Sequence, residues 1–394
     1  MDLQRPGLQP GTKIMVALSG GVDSFVAALL LQEAGFRLTG ATLRLWVDPV
    51  AEKKVFAKDS GYYLQKIVAE AKEAARALDI PHHVFDMKEV FCEKVVSYFV
   101  HEYSQGRTPN PCIVCNRYLK FSLLSREAQA RGIGFLATGH YARIAYDSEN
   151  NRYRLFRGID PQKDQSYMLY TLGQEQLSST IFPLGGYTKE EVRNLAQNRG
   201  FNIAEKTESQ EICFIPDNDY RSFLQREKAE FTPGDIVSTS GEKMGRHKGL
   251  AFYTIGQRKG LGLTSPHPLY VTDIDPQQNV LIVGGKEETY SKGLEAGALN
   301  FISGQPPHAP LDVKVKIRYR SPLVPATFYP PDDNSVANKP NDFSEKTSDF
   351  CRANAFPAKV FFKEKQKAVT PGQSVVFYQK EELIGGGVII SSLK

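Results

Sequence analysis

Long hydrophobic runs are missing from this chain of 394 residues. The longest one, residues 25–31, has seven residues, whereas a membrane-spanning helix needs about 20. The first residues show no apolar segment with a cleavage site of the kind that secretory signals carry. We therefore expect no membrane partner and a cytoplasmic location.

Cysteine is also scarce, and there is little net charge. Five cysteines are too few for a disulfide scaffold in a chain of this length, so we expect them to be buried, catalytic or metal-binding. The net charge of +5 permits a polyanionic partner without requiring one. A single core seldom exceeds about 250–300 residues, so the length predicts two or three domains.

The sequence pattern changes twice along the chain. Up to residue 215, apolar runs ("KIMVAL", "RLTGATLRL", "PHHVFDM", "IGFLATGH") alternate with helical stretches over 24–34 and 64–78, which predicts an α/β domain with a parallel sheet. Residues 216–285 are rich in glycine and turns and predict a small central domain. Residues 286–394 predict a β-barrel, with an alternating strand over 312–320 and an exposed polar insertion near 330–355.

The segment "SGGVDS", residues 19–24, lies between the first strand and the first helix. Its glycines allow the backbone to approach a ligand closely, and the N–H groups at the start of a helix attract anions. The segment lacks the Gly-Lys-Ser/Thr of a Walker A loop and is not a G-x-G-x-x-G. It predicts a phosphate site in which Ser19 and Ser24 donate hydrogen bonds and Asp23 is suited to Mg²⁺.

Three cysteines stand in distinctive contexts. "GRTPNPCIVCNRYLKF" places Cys112 and Cys115 in a C-x-x-C, and "ESQEICFI" contains Cys213. A C-x-x-C alone is compatible with a redox pair, half of a metal site, or two buried small side chains. The absence of a second C-x-x-C argues against a zinc ribbon. We expect Cys92 to lie in a core and Cys351 to be incidental.

Several motifs together resemble a known family. "SGGVDS" resembles the PP-loop of the N-type ATP pyrophosphatases, which cleave ATP between the α- and β-phosphates and transfer AMP to a carbonyl oxygen. The cysteine contexts resemble the tRNA-specific 2-thiouridylases, the MnmA family, and the order of the motifs matches as well. The further matching segments are "ATGHYARI", "KDQSYMLY", "PGDIV", "YTIGQRKGLG" and "IRYRSP".

This resemblance covers nearly the whole chain outside residues 330–355 and implies a reaction. The C2 oxygen of the tRNA wobble uridine would be adenylated by ATP with Mg²⁺ and then replaced by sulfur. Cys213 matches the cysteine that carries the persulfide, and Cys115 its partner, which breaks the persulfide S–S bond. The resemblance further implies a final Cys115–Cys213 disulfide, and a cysteine desulfurase or a sulfur-relay protein as the donor.

The resemblance also implies binding residues. Those for the nucleotide are Ala17, Leu18, Ser19, Gly20, Gly21, Val22, Asp23 and Ser24 around the phosphates, with Leu43 and Gly139. Those for tRNA are Asn110, Pro111, Cys112, Lys163, Asp164 and Gln165 beside the target base, and Arg318 and Tyr319 in the barrel strand. The basic residues of 243–259 and 107–131 either contact phosphates or form solvated faces.

The chain departs from the family at Cys112, where many members have an aspartate that is proposed to act as an acid and base. We therefore do not expect that role here. In a different mechanism, Cys112, Cys115 and Cys213 would hold an iron–sulfur cluster that delivers sulfide. The motifs are also compatible with a PP-loop ligase such as argininosuccinate synthase, with a non-catalytic sulfur- or cluster-carrying RNA-binding protein, and with a thiolase for another tRNA position.

Overall fold

The computed structural model describes residues 5–56, 61–201, 212–227, 231–331 and 357–394. Most of the predicted insertion, including Cys351, lies outside these residues. None of the helices described is both long and apolar enough to cross a membrane.

A five-stranded parallel sheet forms the first part of the molecule, which confirms the predicted α/β fold. Its strand order is β3-β2-β1-β4-β7. The core strand β1 is buried on both faces, as is usual for a parallel sheet covered by helices: Met15 packs into one apolar cluster and Ile14 and Val16 into another. The strands are β1 (Lys13–Ala17), β2 (Arg37–Arg44), β3 (His82–Asp86), β4 (Phe135–Ala137) and β7 (Thr180–Ile181).

Helices cover this sheet, and two of them match the predicted helical stretches. These are α1 (Val22–Glu33) and α3 (Tyr62–Ala77). The helix that carries the C-x-x-C begins as α6 (Pro111–Cys115), continues with π-helical hydrogen bonding over Asn116–Leu123, and ends as α7 (Leu124–Gln129). The other helices are α2 (Pro49–Phe56), α4 (Lys88–Phe91), α5 (Ser97–Ser104), α8 (Gln174–Ser179), α9 (Lys189–Asn198) and α10 (Tyr220–Arg226).

Two further sheets follow along the chain. The central one has the order β10-β11-β8-β9, with β8 (Gly234–Ser238), β9 (Lys243–His247), β10 (Tyr270–Asp275) and β11 (Val280–Gly284). The last one closes into a six-stranded barrel through the pairing of β12 with β17. Its strands are β12 (Tyr290–Phe301), β13 (Leu311–Lys316), β14 (Val324–Tyr329), β15 (Ala358–Lys367), β16 (Ser374–Gln379) and β17 (Glu382–Leu393).

A hairpin from the first zone joins the barrel sheet. It consists of β5 (Ala142–Asp147) and β6 (Arg152–Arg157), and β6 pairs with the start of β17 at Glu382 and Leu383. This hairpin was not predicted from the sequence. The predicted domain limits at 215 and 285 stay a prediction, and this pairing ties the first zone to the third.

The predicted barrel strand over 312–320 was too long. Strand β13 ends at Lys316, and the Ser321 hydroxyl accepts hydrogen bonds from the backbone N–H groups of Ile317 and Arg318, which closes a turn. The alternation also fails at Lys316, which is buried because it pairs with Asp164 at 3.5 Å. Arg318 and Tyr319 therefore lie in the turn after the strand.

Candidate active site

The segment 19–24 forms a loop at the carboxyl end of β1, directly before α1. Gly20 has a φ of +75°, which a side chain rarely adopts, and a Cβ there would lie 2.7 Å from the Cβ of Glu70. The Ser24 hydroxyl donates to the Gly21 carbonyl at 2.9 Å and accepts from the Ser19 backbone N–H at 3.2 Å. The hydroxyl of Ser24 thus shapes the loop, and the first turn of α1 directs its N–H groups towards the space in front of it.

The other predicted nucleotide residues lie near this loop because the strands are parallel. Leu43 is at the carboxyl end of β2, the neighbour of β1, and Gly139 follows β4 on the other side. A Cβ on Gly139 would lie 3.0 Å from the carbonyl carbon of Asp23 and 3.1 Å from the Ser24 nitrogen. The carboxyl edge of the sheet is the usual ligand site of such folds, and Gly139 allows α1 to lie against it.

Asp23 is held by two residues that sequence reasoning missed. The Lys189 Nζ lies 2.7 and 2.8 Å from its two carboxylate oxygens, and the Tyr141 hydroxyl donates to Oδ1 at 2.7 Å. The predicted role of Asp23 as a Mg²⁺ ligand stays a prediction, since Lys189 and Tyr141 hold its carboxylate here, and we assign no step to a metal at Asp23. Lys189 is separated from Asp23 by 166 residues, and no local pattern reveals the pair.

The cysteine helix begins at Pro111, with Asn110 in the extended conformation before it. Cys112 is half-buried and Cys115 is buried. Burial raises the pKa of both thiols, that of Cys115 to about 11, and the Lys120 ammonium opposes this rise at both. In a π-helix, where hydrogen bonds join residues five apart, Lys120 comes round to the side of Cys115.

Cys213 belongs to the same neighbourhood. Its pKa is raised first by desolvation, then by Cys112 and Cys115, while Lys120 lowers it. Part of Cys213 is exposed, yet protein atoms surround the thiol closely enough to desolvate it. The next residue, Phe214, is fully buried and anchors the segment through edge-to-face contacts with the rings of Phe91 and Phe99.

Residues of helix α3 interact with both Cys213 and the loop formed by residues 19–24. Near the start of the helix, Tyr63 has a pKa raised by burial and then by the charges of Cys213 and Glu70. Two turns further on, Glu70 lies against Gly20 of the loop. Seven residues of an α-helix span about 10 Å, so Tyr63 and Glu70 are separated by that length along the helix.

The residues predicted to contact tRNA differ in their burial and in their contacts with the rest of the protein. The Asp164 side chain exposes no surface; its carboxylate pairs with Arg157 at 3.1 Å and Lys316 at 3.5 Å, which is a supporting position. Lys163 and Gln165 are half-buried beside it. In the turn after β13, Arg318 donates to the backbone carbonyls of Lys367 and Ala368 at 3.3 and 3.4 Å.

Several further candidates are engaged structurally. His140 is buried, its Nδ1 lies 2.7 Å from the Thr138 hydroxyl, and burial holds its pKa well below the usual range. In the basic segment 243–259, Lys243 pairs with Asp235 at 2.9 Å. Cys92 is half-buried at the start of the other π-helical segment, Cys92–Val96.

An iron–sulfur cluster on the cysteines finds no support in the geometry. Over the described residues, no three His, Cys, Asp or Glu side chains come close enough together to hold a metal ion. Cys112, Cys115 and Cys213 share a neighbourhood, but their sulfurs do not form the ligand set that such a cluster requires.

Comparison with known proteins agrees with this architecture. Residues 12–217 match the family described as the tRNA methyl transferase HUP domain, and residues 221–285 the tRNA methyl transferase PRC-barrel domain. Residues 291–339 and 345–389 match the Aminomethyltransferase beta-barrel domain.

Curated relatives match along the full length. The chain is 46% identical over 383 residues to tRNA-specific 2-thiouridylase MnmA 1 of Caldanaerobacter subterraneus subsp. tengcongensis, covering 97% of this chain and 99% of that one. It is 45% identical over 381 residues to tRNA-specific 2-thiouridylase MnmA of Natranaerobius thermophilus, covering 96% and 98%. A solved 4-thiouridine synthetase–RNA complex with bound ATP is 18% identical, with a TM-score of 0.34 over 56% of this chain and 52% of that one, which is too low to carry an argument.

The first zone, a parallel sheet with the loop of residues 19–24 at its carboxyl edge, is a HUP-type domain. The chain belongs to the tRNA-specific 2-thiouridylases, the MnmA family of tRNA-modifying enzymes.

Proposed function

We propose that this protein catalyses the ATP-dependent 2-thiolation of the wobble uridine of tRNA. The observation that carries the proposal is that α3 contains both Tyr63, whose pKa responds to the charge of Cys213, and Glu70, which lies against Gly20 of the loop formed by residues 19–24. A nucleobase placed between Cys213 and this loop would have ATP on one side and thiols on the other. The names of the full-length relatives support the substrate.

The first step activates the base. The C2 carbonyl of uracil resembles that of a urea and is a poor electrophile. Its oxygen attacks the α-phosphorus of ATP, pyrophosphate leaves, and the N3 proton is lost, which gives an O-adenylated uridine. The N–H groups at the start of α1 and the residues 17–24, with Leu43 and Gly139, hold the nucleotide.

The second step delivers sulfur. The terminal sulfur of a persulfide on Cys213 attacks C2, and AMP leaves with the former C2 oxygen. The Cys115 sulfur then attacks the Cys213 sulfur and breaks the S–S bond, while the Cys115 thiol proton passes to the departing 2-thiouridine; a Cys115–Cys213 disulfide is left. An external dithiol restores the two thiols, and a cysteine desulfurase or a relay protein supplies the next persulfide sulfur.

The raised pKa values of the thiols fit this order of events. At neutral pH Cys115 is protonated, because its pKa is about 11, so the site stays unreactive before it is loaded. A persulfide is a stronger acid than a thiol, and the ammonium of Lys120 stabilises its anion. Cys112 stands where many family members have an aspartate, and it lies in the same neighbourhood as Cys115 and Cys213. It would contact the base together with Asn110 and Pro111.

The two kinds of name among the matches point to different chemistries. The family models' descriptions mention methyl transfer, whereas the relatives' names state thiolation. Three thiols gathered beside one lysine support thiolation, since a methyl transfer needs no sulfur carrier.

The test is reconstitution with purified protein, unmodified tRNA, ATP and a persulfide donor. We expect tRNA-dependent release of AMP and pyrophosphate and formation of 2-thiouridine. Cys213→Ser should abolish 2-thiouridine but keep tRNA-dependent ATP cleavage, and Cys115→Ser should trap tRNA or persulfide on the protein. Cys92→Ser is the matched control and should behave as the wild type. Full thiolation by Cys213→Ser, or a rate of ATP cleavage that is the same with and without tRNA, would refute the proposal.

A further inference from the structure

Residues 160–165 form the turn before the 3₁₀ segment Ser166–Leu169. This turn contacts Tyr141 and Lys189, the two residues that hold Asp23. On one side, the Gln165 side chain accepts a hydrogen bond from the Tyr141 backbone N–H at 3.0 Å, and the Gln165 N–H donates to the Tyr141 carbonyl at 2.9 Å. Tyr141 in turn donates its hydroxyl proton to Asp23 at 2.7 Å. Gln165 is therefore connected through Tyr141 to Asp23 of the loop formed by residues 19–24.

The other side of the same turn reaches Lys189. The Asp160 carboxylate accepts from the Lys189 backbone N–H at 3.0 Å, and its other oxygen accepts from the Gln162 N–H. The Asp160 carbonyl accepts from the N–H groups of Lys163 and Asp164. Asp160 therefore ties the turn internally and fastens it to the residue whose ammonium neutralises Asp23.

These contacts set up a competition at the loop. The Lys189 ammonium is within hydrogen-bonding distance of both Asp23 oxygens, so it is directed at the Asp23 carboxylate. The polyphosphate of ATP carries more negative charge than one carboxylate and competes for the same ammonium. Whatever turns the Lys189 ammonium away from Asp23 favours ATP.

We propose that residues 160–165 couple RNA binding to ATP binding, with Tyr141 and Asp160 as the positioning residues. This inference rests on the proposed function and on the sequence-based prediction that Lys163 and Gln165 lie beside the target base. RNA bound there displaces the turn, Asp160 and Gln165 transmit the displacement, and Lys189 turns from Asp23 to the phosphates. The enzyme then binds ATP productively when tRNA is present.

The test measures the affinity of an ATP analogue with a non-cleavable α–β bridge, with and without an anticodon stem-loop RNA that carries a wobble uridine. The wild type should bind the analogue more tightly with RNA, and the ratio of the two affinities is the coupling. Tyr141→Phe breaks the connection from Gln165 through Tyr141 to Asp23 and should lower the affinity with RNA. Asp160→Asn presents an amide to the Lys189 N–H and should lower the affinity with RNA. Both changes bring the ratio two- to tenfold closer to one, roughly the effect of one hydrogen bond.

Tyr146→Phe is the matched control, because it removes a hydroxyl from β5, the strand that follows Tyr141, and that hydroxyl donates to the hairpin residue Asn151 at 2.6 Å. Its ratio should equal that of the wild type. A wild-type ratio of one, or an unchanged ratio in both positioning variants, would overturn the coupling and leave the proposed function intact. A wild type that binds neither RNA nor the analogue would overturn the proposed function. If Tyr141→Phe does not fold, the affinity ratio of Asp160→Asn alone decides whether the coupling exists.

Discussion

At the scale of single residues, the Lys120 ammonium is the cation that acts on Cys112, Cys115 and Cys213 alike. Its charge favours the thiolate forms and so lowers their pKa values against the effect of burial. Without it, each thiol needs a higher pH to ionise. The sign of any pH effect follows directly: loss of the charge moves thiolate formation to higher pH.

We therefore predict that Lys120→Met slows alkylation of Cys115 and Cys213 by iodoacetamide, and moves the pH midpoint of the reaction upward. Mass spectrometry of each cysteine across a pH series gives the rates. Lys359→Met, which removes an exposed charge from the barrel strand β15, is the control and should leave the midpoints unchanged. Equal midpoints in Lys120→Met and the wild type would show that the lysine does not act on the thiols.

A second prediction concerns Lys189 and Asp23. Lys189→Met leaves the Asp23 carboxylate without its counter-ion in front of the phosphates, so ATP affinity should fall about tenfold, or about 1.4 kcal/mol. Adding Asp23→Asn removes the repulsion and should restore part of the affinity. Isothermal titration with a non-cleavable analogue measures both; a double variant that binds no better than Lys189→Met would contradict the account.

At the scale of elements, the contact between the segment after β4 and the first turn of α1 depends on Gly139. Gly139→Ala would place a Cβ 3.0 Å from Asp23. We expect a loss of about 1–3 kcal/mol in the free energy of unfolding, together with weaker binding of ATP. Gly134→Ala is the matched control, because a Cβ there meets no atom within 4 Å. Urea denaturation of both variants separates the outcomes, and equal midpoints would refute the packing argument.

The elements also show what the sequence could predict. Strands β1 to β4 and helices α1 and α3 were predictable because their periodicity is local. The pairing of β6 with β17 could not be predicted because Arg154 and Glu382 are 228 residues apart, and β13 was overextended because the turn depends on a single hydroxyl, that of Ser321. Lys189, Tyr141 and Asp160 were missed for the same reason: their contacts with the loop and the turn exist only in three dimensions.

At the scale of the whole molecule, one buried carboxylate joins the first zone to the barrel. Asp164 pairs with Arg157 from β6 and Lys316 from β13. In Asp164→Asn an amide would face the buried Lys316 and the half-buried Arg157, so we expect a loss of about 3–5 kcal/mol in the free energy of unfolding. Asp312→Asn, at an exposed pair with Lys363, should leave the urea midpoint unchanged. Similar midpoints for the two variants would show that the buried pair is not needed.

The pairing of β17 with β6 also has a consequence for biosynthesis. Arg154 and Glu382, which join across it, are 228 residues apart. At about 5–20 residues per second, the ribosome needs roughly ten to fifty seconds after β6 to produce β17, the strand that pairs with it. During that time the open edge of β6 is a template for wrong partners, so chaperones that shield nascent chains should matter most for this protein while the barrel is still being translated.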